Sequence, residues 1–242
     1  MTQSMRCFVI SLEEAHERRK RFFTAAERHN WQVEVFTAVD KADLIVTSKG
    51  QLRAEVTHRT DKILSLDVVA GKTGHISMKV GEYACALSHM ILWKKLLASG
   101  DSHWCIFEDD AVIENPYSRI PLPEDADFVF LSDRVQSVVP SEIQTDAEFD
   151  DWVARTPFAP LLPGVGTEAY IVTSKGASAG LGLMNQMYWP IDLQLMSYGH
   201  GTINCGHYLA EDRLDLRTVC RLYSSNQTYT HYEDLGISYI ND

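Results

Sequence analysis

The chain has 242 residues, of which 45% are hydrophobic and 23% charged, with 22 Lys and Arg against 33 Asp and Glu for a net charge of −11. That length and apolar fraction suit one large α/β domain and argue against disorder. The acidic balance excludes binding that rests on general neutralisation of phosphate, so neither nucleic acid nor an anionic bilayer is an expected electrostatic partner.

Arg6 to Leu12 predicts a first strand, and Glu13 to His29 a helix with an apolar stripe of Ala15, Phe22, Ala25 and Ala26. Trp31 to Val39 alternates apolar and polar residues and predicts a second strand. A strand, helix and strand in this order predict a mostly parallel, doubly wound sheet flanked by helices. Residues 40–80 read as a loop, because Ala70-Gly-Lys-Thr-Gly74 lacks the full phosphate-loop pattern. Glu82 to Ser99 predicts a helix with a broad apolar face, punctuated by Gly81 and Gly100.

His103 to Phe107 then runs straight into Glu108-Asp109-Asp110. The apolar run predicts a buried strand whose carboxyl end presents the acids, which is where open α/β sheets bind ligands. Alternation puts Glu108 and Asp110 on one side and Asp109 on the other. Adjacent carboxylates repel unless a cation or several donors offset them, and hard oxygens suit Mg²⁺ or Mn²⁺. A solvated acidic turn is the alternative reading.

Asn115-Pro116 marks a break, Asp127 to Leu131 a short strand, and 132–164 an irregular segment of the kind that forms a lid. Gly166 to Thr173 predicts a strand, Ser174 to Met187 a helix capped by Ser174, and Trp189-Pro-Ile-Asp192 a new element. Residues 198–208 read as loop, and 218–230 alternate weakly. Cys7, Cys85, Cys105, Cys205 and Cys220 form no CxxC pair, which argues for reduced, mostly buried thiols and against a zinc knuckle. The N-terminus lacks a signal-peptide layout, and no apolar stretch reaches the ~20 residues that span a bilayer. A soluble, cytoplasmic protein is expected.

Five segments together resemble glycosyltransferase family 25, the lipooligosaccharide glycosyltransferases related to collagen galactosyltransferases. They are Phe8-Val-Ile-Ser-Leu12 with Glu17-Arg18-Arg19; Gly81 to His89 with Leu92-Trp93; Ile106 to Asp110; Gly166 to Ile171 with Lys175-Gly176; and Pro190-Ile-Asp192. Ser11 stands where the family often has Asn. The resemblance implies a GT-A-like single domain, with 1–115 as the nucleotide-sugar half and 116–242 as the acceptor half. It implies an inverting, metal-dependent hexosyltransferase using UDP-galactose or UDP-glucose, with Mn²⁺ or Mg²⁺. The acceptor would be a sugar of lipooligosaccharide or lipopolysaccharide, reached with at most peripheral attachment to the inner face of the inner membrane.

On that resemblance Asp110 is the direct metal ligand, with Glu108 acting through water or the ribose and His231 or His207 as an additional ligand. Donor contacts are assigned to Ser11, Leu12, Arg18, Arg19, Ser88, His89, Glu108, Asp109, Gly166 and Thr167. Inversion needs a base, and Asp192 is the candidate; a helix N-cap is its other reading, and Asp150, Asp151, Glu168 and Glu211-Asp212 are rivals. A metal-dependent nucleotide phosphohydrolase and a non-catalytic nucleotide-sugar-binding module are the competing functions. Loops 132–164 and 196–210 are expected to choose the acceptor.

Overall fold

Every residue of the first strand after Arg6 is buried, as a strand covered on both faces requires. The computed structural model describes residues 5–46, 51–56, 64–70, 78–116, 122–132, 134, 142–155, 158–160, 166–184, 186–187, 189–199, 222–225 and 230–232. In chain order the elements are β1 (Arg6–Ser11), α1 (His16–Arg28), β2 (Val33–Thr37), β3 (Ile45–Val46), β4 (Gln51–Val56), β5 (Leu64–Ala70) and α2 (Val80–Ser99). Then come β6 (His103–Glu108), β7 (Ala111–Ile113), β8 (Phe128–Phe130), α3 (Asp146–Arg155), β9 (Phe158–Pro160) and β10 (Ala169–Thr173). The last are α4 (Ser174–Leu183), β11 (Gln186–Met187), α5 (Ile191–Gly199), β12 (Leu222–Ser225) and β13 (Thr230–Tyr232).

Among the described residues the main sheet has seven strands in the order β2-β1-β6-β10-β8-β12-β9. It is mixed, which corrects the mostly parallel expectation. β1 runs parallel to β2 and β6, but β10 lies antiparallel to both β6 and β8. Side-chain alternation fixes which face a residue takes, yet carries no information about strand direction. Phe8, Ile10, Trp104, Ile106, Phe128, Phe130, Tyr170 and Val172 form one face and pack with α2, α4 and α5. Cys7, Val9, Cys105, Phe107, Val129 and Ile171 form the other and pack with Phe22 and Ala26 of α1.

The helix predicted at 82–99 is α2, and Ala86 to Trp93 are all buried. Gly180 of α4 allows its close approach, since a Cβ there would press on Trp93. Residues 40–80 are not simply a loop: β3, β4 and β5 join β11 in a second sheet of four strands. The alternation in Gln51-Leu-Arg-Ala-Glu-Val56 was the signal passed over; residues 71–74 lie outside the described residues. The 132–164 segment likewise contains α3 and β9. The helix after β10 stops at Leu183, and Thr173 rather than Ser174 caps it, its hydroxyl accepting from Gly176 N at 3.0 Å.

Candidate functional site

The carboxyl ends of β1 and β6 coincide, with Ile10 paired to Glu108. On the other side of β6, Glu108 N donates to Glu168 O at 2.8 Å, so the strand entering β10 delivers Gly166, Thr167 and Glu168 to the same place. A cleft of about 440 Å³ opens there. It is lined by Ser11, Leu12, Arg18, Ser88, Glu108, Asp109, Asp110, Gly166, Thr167 and Asp192, all expected site residues, and also by Cys85, Arg134 and Glu168.

The three acids do not alternate as a strand would have them. β6 ends at Glu108, and Asp109 and Asp110 lie in the turn before β7. Arg18 of α1 therefore reaches both, with guanidinium contacts of 2.7 Å to Asp109 Oδ1 and 2.8 Å to Asp110 Oδ2. Glu108 keeps the parity of Trp104 and Ile106 and faces α2. There Thr167 donates to its Oε1 at 2.6 Å, and His89 Nε2 stands 3.3 Å from the same atom.

Burial first, and then the neighbouring Glu108 charge, push the Asp110 carboxyl up to about 7, with Arg18 only partly opposing them. Burial likewise raises Asp109 against the pull of Arg18. Glu168 rises to about 7, mainly by burial, although Ser132 donates to its Oε1. Burial also raises Glu108, but His89, Thr167 and Arg18 outweigh it and hold the group below its ordinary value. Asp110 Oδ1 and Glu168 Oε2 are buried without a hydrogen-bond partner among the described residues. A row of acids with an orphaned, buried carboxylate oxygen is a fitting cradle for a hard divalent cation.

Other expected site residues take backbone work. Ser88 Oγ donates to Ala84 O and accepts Val39 N, both at 2.9 Å, which ties the end of β2 to α2. Arg19 does not line the cleft; its guanidinium holds Leu12 O at 3.0 Å and Glu13 O at 3.1 Å. His89 lies beneath the cleft, fully buried, with Nδ1 2.8 Å from the Tyr170 hydroxyl. Asp192 accepts Gly166 N at 2.9 Å on Oδ2 and its neighbour Leu193 N at 2.8 Å on Oδ1. It thus fastens the Gly166 turn to α5, and a second lone pair on each oxygen remains for the cleft. Gly166 has φ +111°, and a Cβ there would collide with the Glu168 carboxylate. The backbone of His231 pairs with Val112 between β13 and β7, while its side chain, His207 and Glu211-Asp212 lie outside the description. Asp151 pairs with Arg155 on α3 and lines no part of the cleft; the Asp150 side chain is not described.

Sequence reasoning took Cys85 for an ordinary buried thiol and did not single out Tyr170 or Arg134. A signal for Cys85 existed, because it stands four residues before His89 on one helix and so shares its face.

The sequence profile described as glycosyltransferase family 25 (LPS biosynthesis protein) matches residues 5–195. The chain is 26% identical over 207 residues to the lacto-N-neotetraose biosynthesis glycosyltransferase LgtB of Neisseria meningitidis serogroup B, covering 80% of this chain and 68% of that protein. It is 29% identical over 112 residues to a glycosyltransferase 25 family member of Aedes aegypti, covering 46% of this chain and 17% of the insect protein. It is 30% identical over 117 residues to a mouse protein named inactive glycosyltransferase 25 family member 3, again covering 46% and 17%. Among the described residues no helix is long and apolar enough to cross a membrane.

Proposed function

Because the chain belongs to glycosyltransferase family 25, we propose that it is an inverting, metal-dependent hexosyltransferase with a GT-A-like domain. It moves galactose or glucose from a UDP-sugar onto an oligosaccharide acceptor of lipooligosaccharide or lipopolysaccharide. It works in the cytoplasm, at most peripherally attached to the inner face of the inner membrane. Residues 1–115 hold the nucleotide sugar, and 116–242 hold the acceptor. The family's description as an LPS biosynthesis protein, and the similarity to LgtB, named for lacto-N-neotetraose biosynthesis, support this choice of acceptor.

The observation that carries the reading is the unpartnered Asp110 Oδ1, buried in a cleft where β1 and β6 end. Asp110 would be the direct ligand of Mn²⁺ or Mg²⁺, with Glu108 acting on it directly or through water and His231 as an additional ligand. When bound, the cation offsets the charge that develops on the departing diphosphate. Arg18 restrains Asp109 and Asp110 from the α1 side and adds positive charge at the same point. Ser11 and Leu12 at the end of β1, with Gly166 and Thr167, bring backbone close to the donor. Ser88, His89, Asp109 and Arg19 act on the donor by holding this frame.

Asp192 is the base. It takes the proton of the acceptor hydroxyl as that oxygen bonds to the anomeric carbon, and the bond to the diphosphate breaks on the opposite face, inverting the centre. One observation favours a rival: Glu168 has an orphaned oxygen and a carboxyl raised to about 7, a suitable value for proton transfer near neutrality. Asp192→Asn and Glu168→Gln, assayed in parallel, separate the two.

UDP-galactose and UDP-glucose turnover with Mn²⁺, and its loss with chelator, test the whole reading. A folded protein that neither binds nor turns over any UDP-sugar overturns it. Release of free phosphate without an acceptor would make it a phosphohydrolase. Binding without turnover would make it a binding module; the mouse relative is named inactive.

A further inference from the structure

We propose that Cys85, His89 and Glu108 form a second metal site, adjoining the Asp110 site through Glu108, that takes a zinc-class divalent cation. Cys85 and His89 are one turn apart on α2, and β6 ends opposite them at Glu108. A ligand atom from each, the Cys sulfur, an imidazole nitrogen and a carboxylate oxygen, lies within 4.8 Å of the other two. Ligand bonds of roughly 2.0–2.3 Å to one ion require such atoms to stand about 3–4 Å apart, so small side-chain rotations close the set.

The histidine supplies an independent sign. Its Nε2 is fully buried, completes no well-formed hydrogen bond among the described residues and sits 3.3 Å from Glu108 Oε1. Its Nδ1 lies 2.8 Å from the Tyr170 hydroxyl, which also accepts Trp93 Nε1 at 3.0 Å. An outer partner of that kind orients a metal-bound imidazole. Without an ion the Nε2 side faces Glu108 Oε1 as a donor; loading would place the ring proton on Nδ1, towards Tyr170, and turn the Nε2 lone pair to the metal.

Sulfur, imidazole nitrogen and carboxylate oxygen together favour Zn²⁺ over Mg²⁺ or Mn²⁺. On binding, the Cys85 thiol releases its proton to solvent. Thiolate and carboxylate then neutralise the dication, so no net charge is left in a buried corner. Three protein ligands leave a fourth position, and it opens to the cleft because Cys85 and Glu108 line it. Glu108 is shared with the Asp110 site, one oxygen to each. The absence of CxxC spacing is no objection, since a helical pair joined to a strand-end carboxylate leaves no contiguous motif.

The test uses the full-length protein stripped by chelator and titrated with Co²⁺, then Zn²⁺. The expected result is a thiolate-to-cobalt charge-transfer band with tetrahedral d–d absorption, displaced by one equivalent of Zn²⁺. Cys85→Ser should abolish the band, and both Cys85→Ser and His89→Gln should weaken zinc binding by at least the roughly 100-fold of an outer-shell loss. Asp110→Asn should keep the band. A wild-type spectrum without it, or an unchanged band in Cys85→Ser, overturns the site; loss of the band in Asp110→Asn overturns its separateness. Should His89→Gln fail to fold, Cys85→Ser at the half-buried cleft edge decides alone. UDP-sugar turnover is read separately, so failure here leaves the transferase reading untouched.

Discussion

Arg18 closes one side of the β6 terminus and His89 the other, and the two sides treat like charges differently. On the Arg18 side, two carboxylates share one guanidinium and both remain raised by burial. On the His89 side, a single carboxylate meets an imidazole and a hydroxyl and is held below its ordinary value. The difference teaches that burial outweighs one shared guanidinium on the first side, while the groups facing Glu108 outweigh burial on the second.

The sharpest way to break this comparison is Asp110→Asn. It should lower Mn²⁺-dependent UDP-sugar turnover by about 10³-fold, and turnover at the wild-type rate would remove Asp110 from the metal site. Next is Arg18→Gln, which removes the cation that Asp109 and Asp110 share and leaves Asp109 without its ion pair. Urea unfolding of the metal-free protein near neutral pH should show a loss of about 3 kcal/mol, part of it restored by Mn²⁺.

Asp192→Asn should cut transfer by about 10²-fold while donor binding, followed by calorimetry, stays intact. If Glu168→Gln shows that pattern instead, the base lies on the strand entering β10. The pH dependence of stability sharpens the comparison further. Asp110 and Glu168 have folded-state values raised to about 7. Between their ordinary values and 7 the folded protein therefore binds more protons than the unfolded chain, and its stability falls as pH rises. From about pH 5 to about pH 8 the metal-free protein should lose about 2 kcal/mol for each of the two carboxyls, and Mn²⁺ should stabilise it more at the higher pH. The smallest effect is expected away from the site: Thr173→Ala removes the cap of α4 and should cost about 1 kcal/mol in urea unfolding.

Much of the site was legible because its chemistry is written contiguously. An apolar run ending in three acids predicted β6 and its carboxyl-terminal cradle, and Ser11, Gly166, Thr167 and Asp192 do converge on one cleft. What misled was geometry at the strand's end. Alternation holds through Glu108 and fails at Asp109, where the turn swings two consecutive carboxylates onto one arginine. In the 51–70 stretch, by contrast, alternation is present in the sequence and two of its runs form β4 and β5.

The sequence by itself determined which residues face which side of β1 and β6, that α2 is a buried helix, and that three acids end a strand. Only the tertiary structure decided that β10 enters antiparallel, bringing Glu168 beside Glu108, and that Cys85, His89 and Glu108 meet. The reason is physical: periodicity sets the direction a side chain takes from its own backbone, while its partner depends on packing between elements distant in the chain.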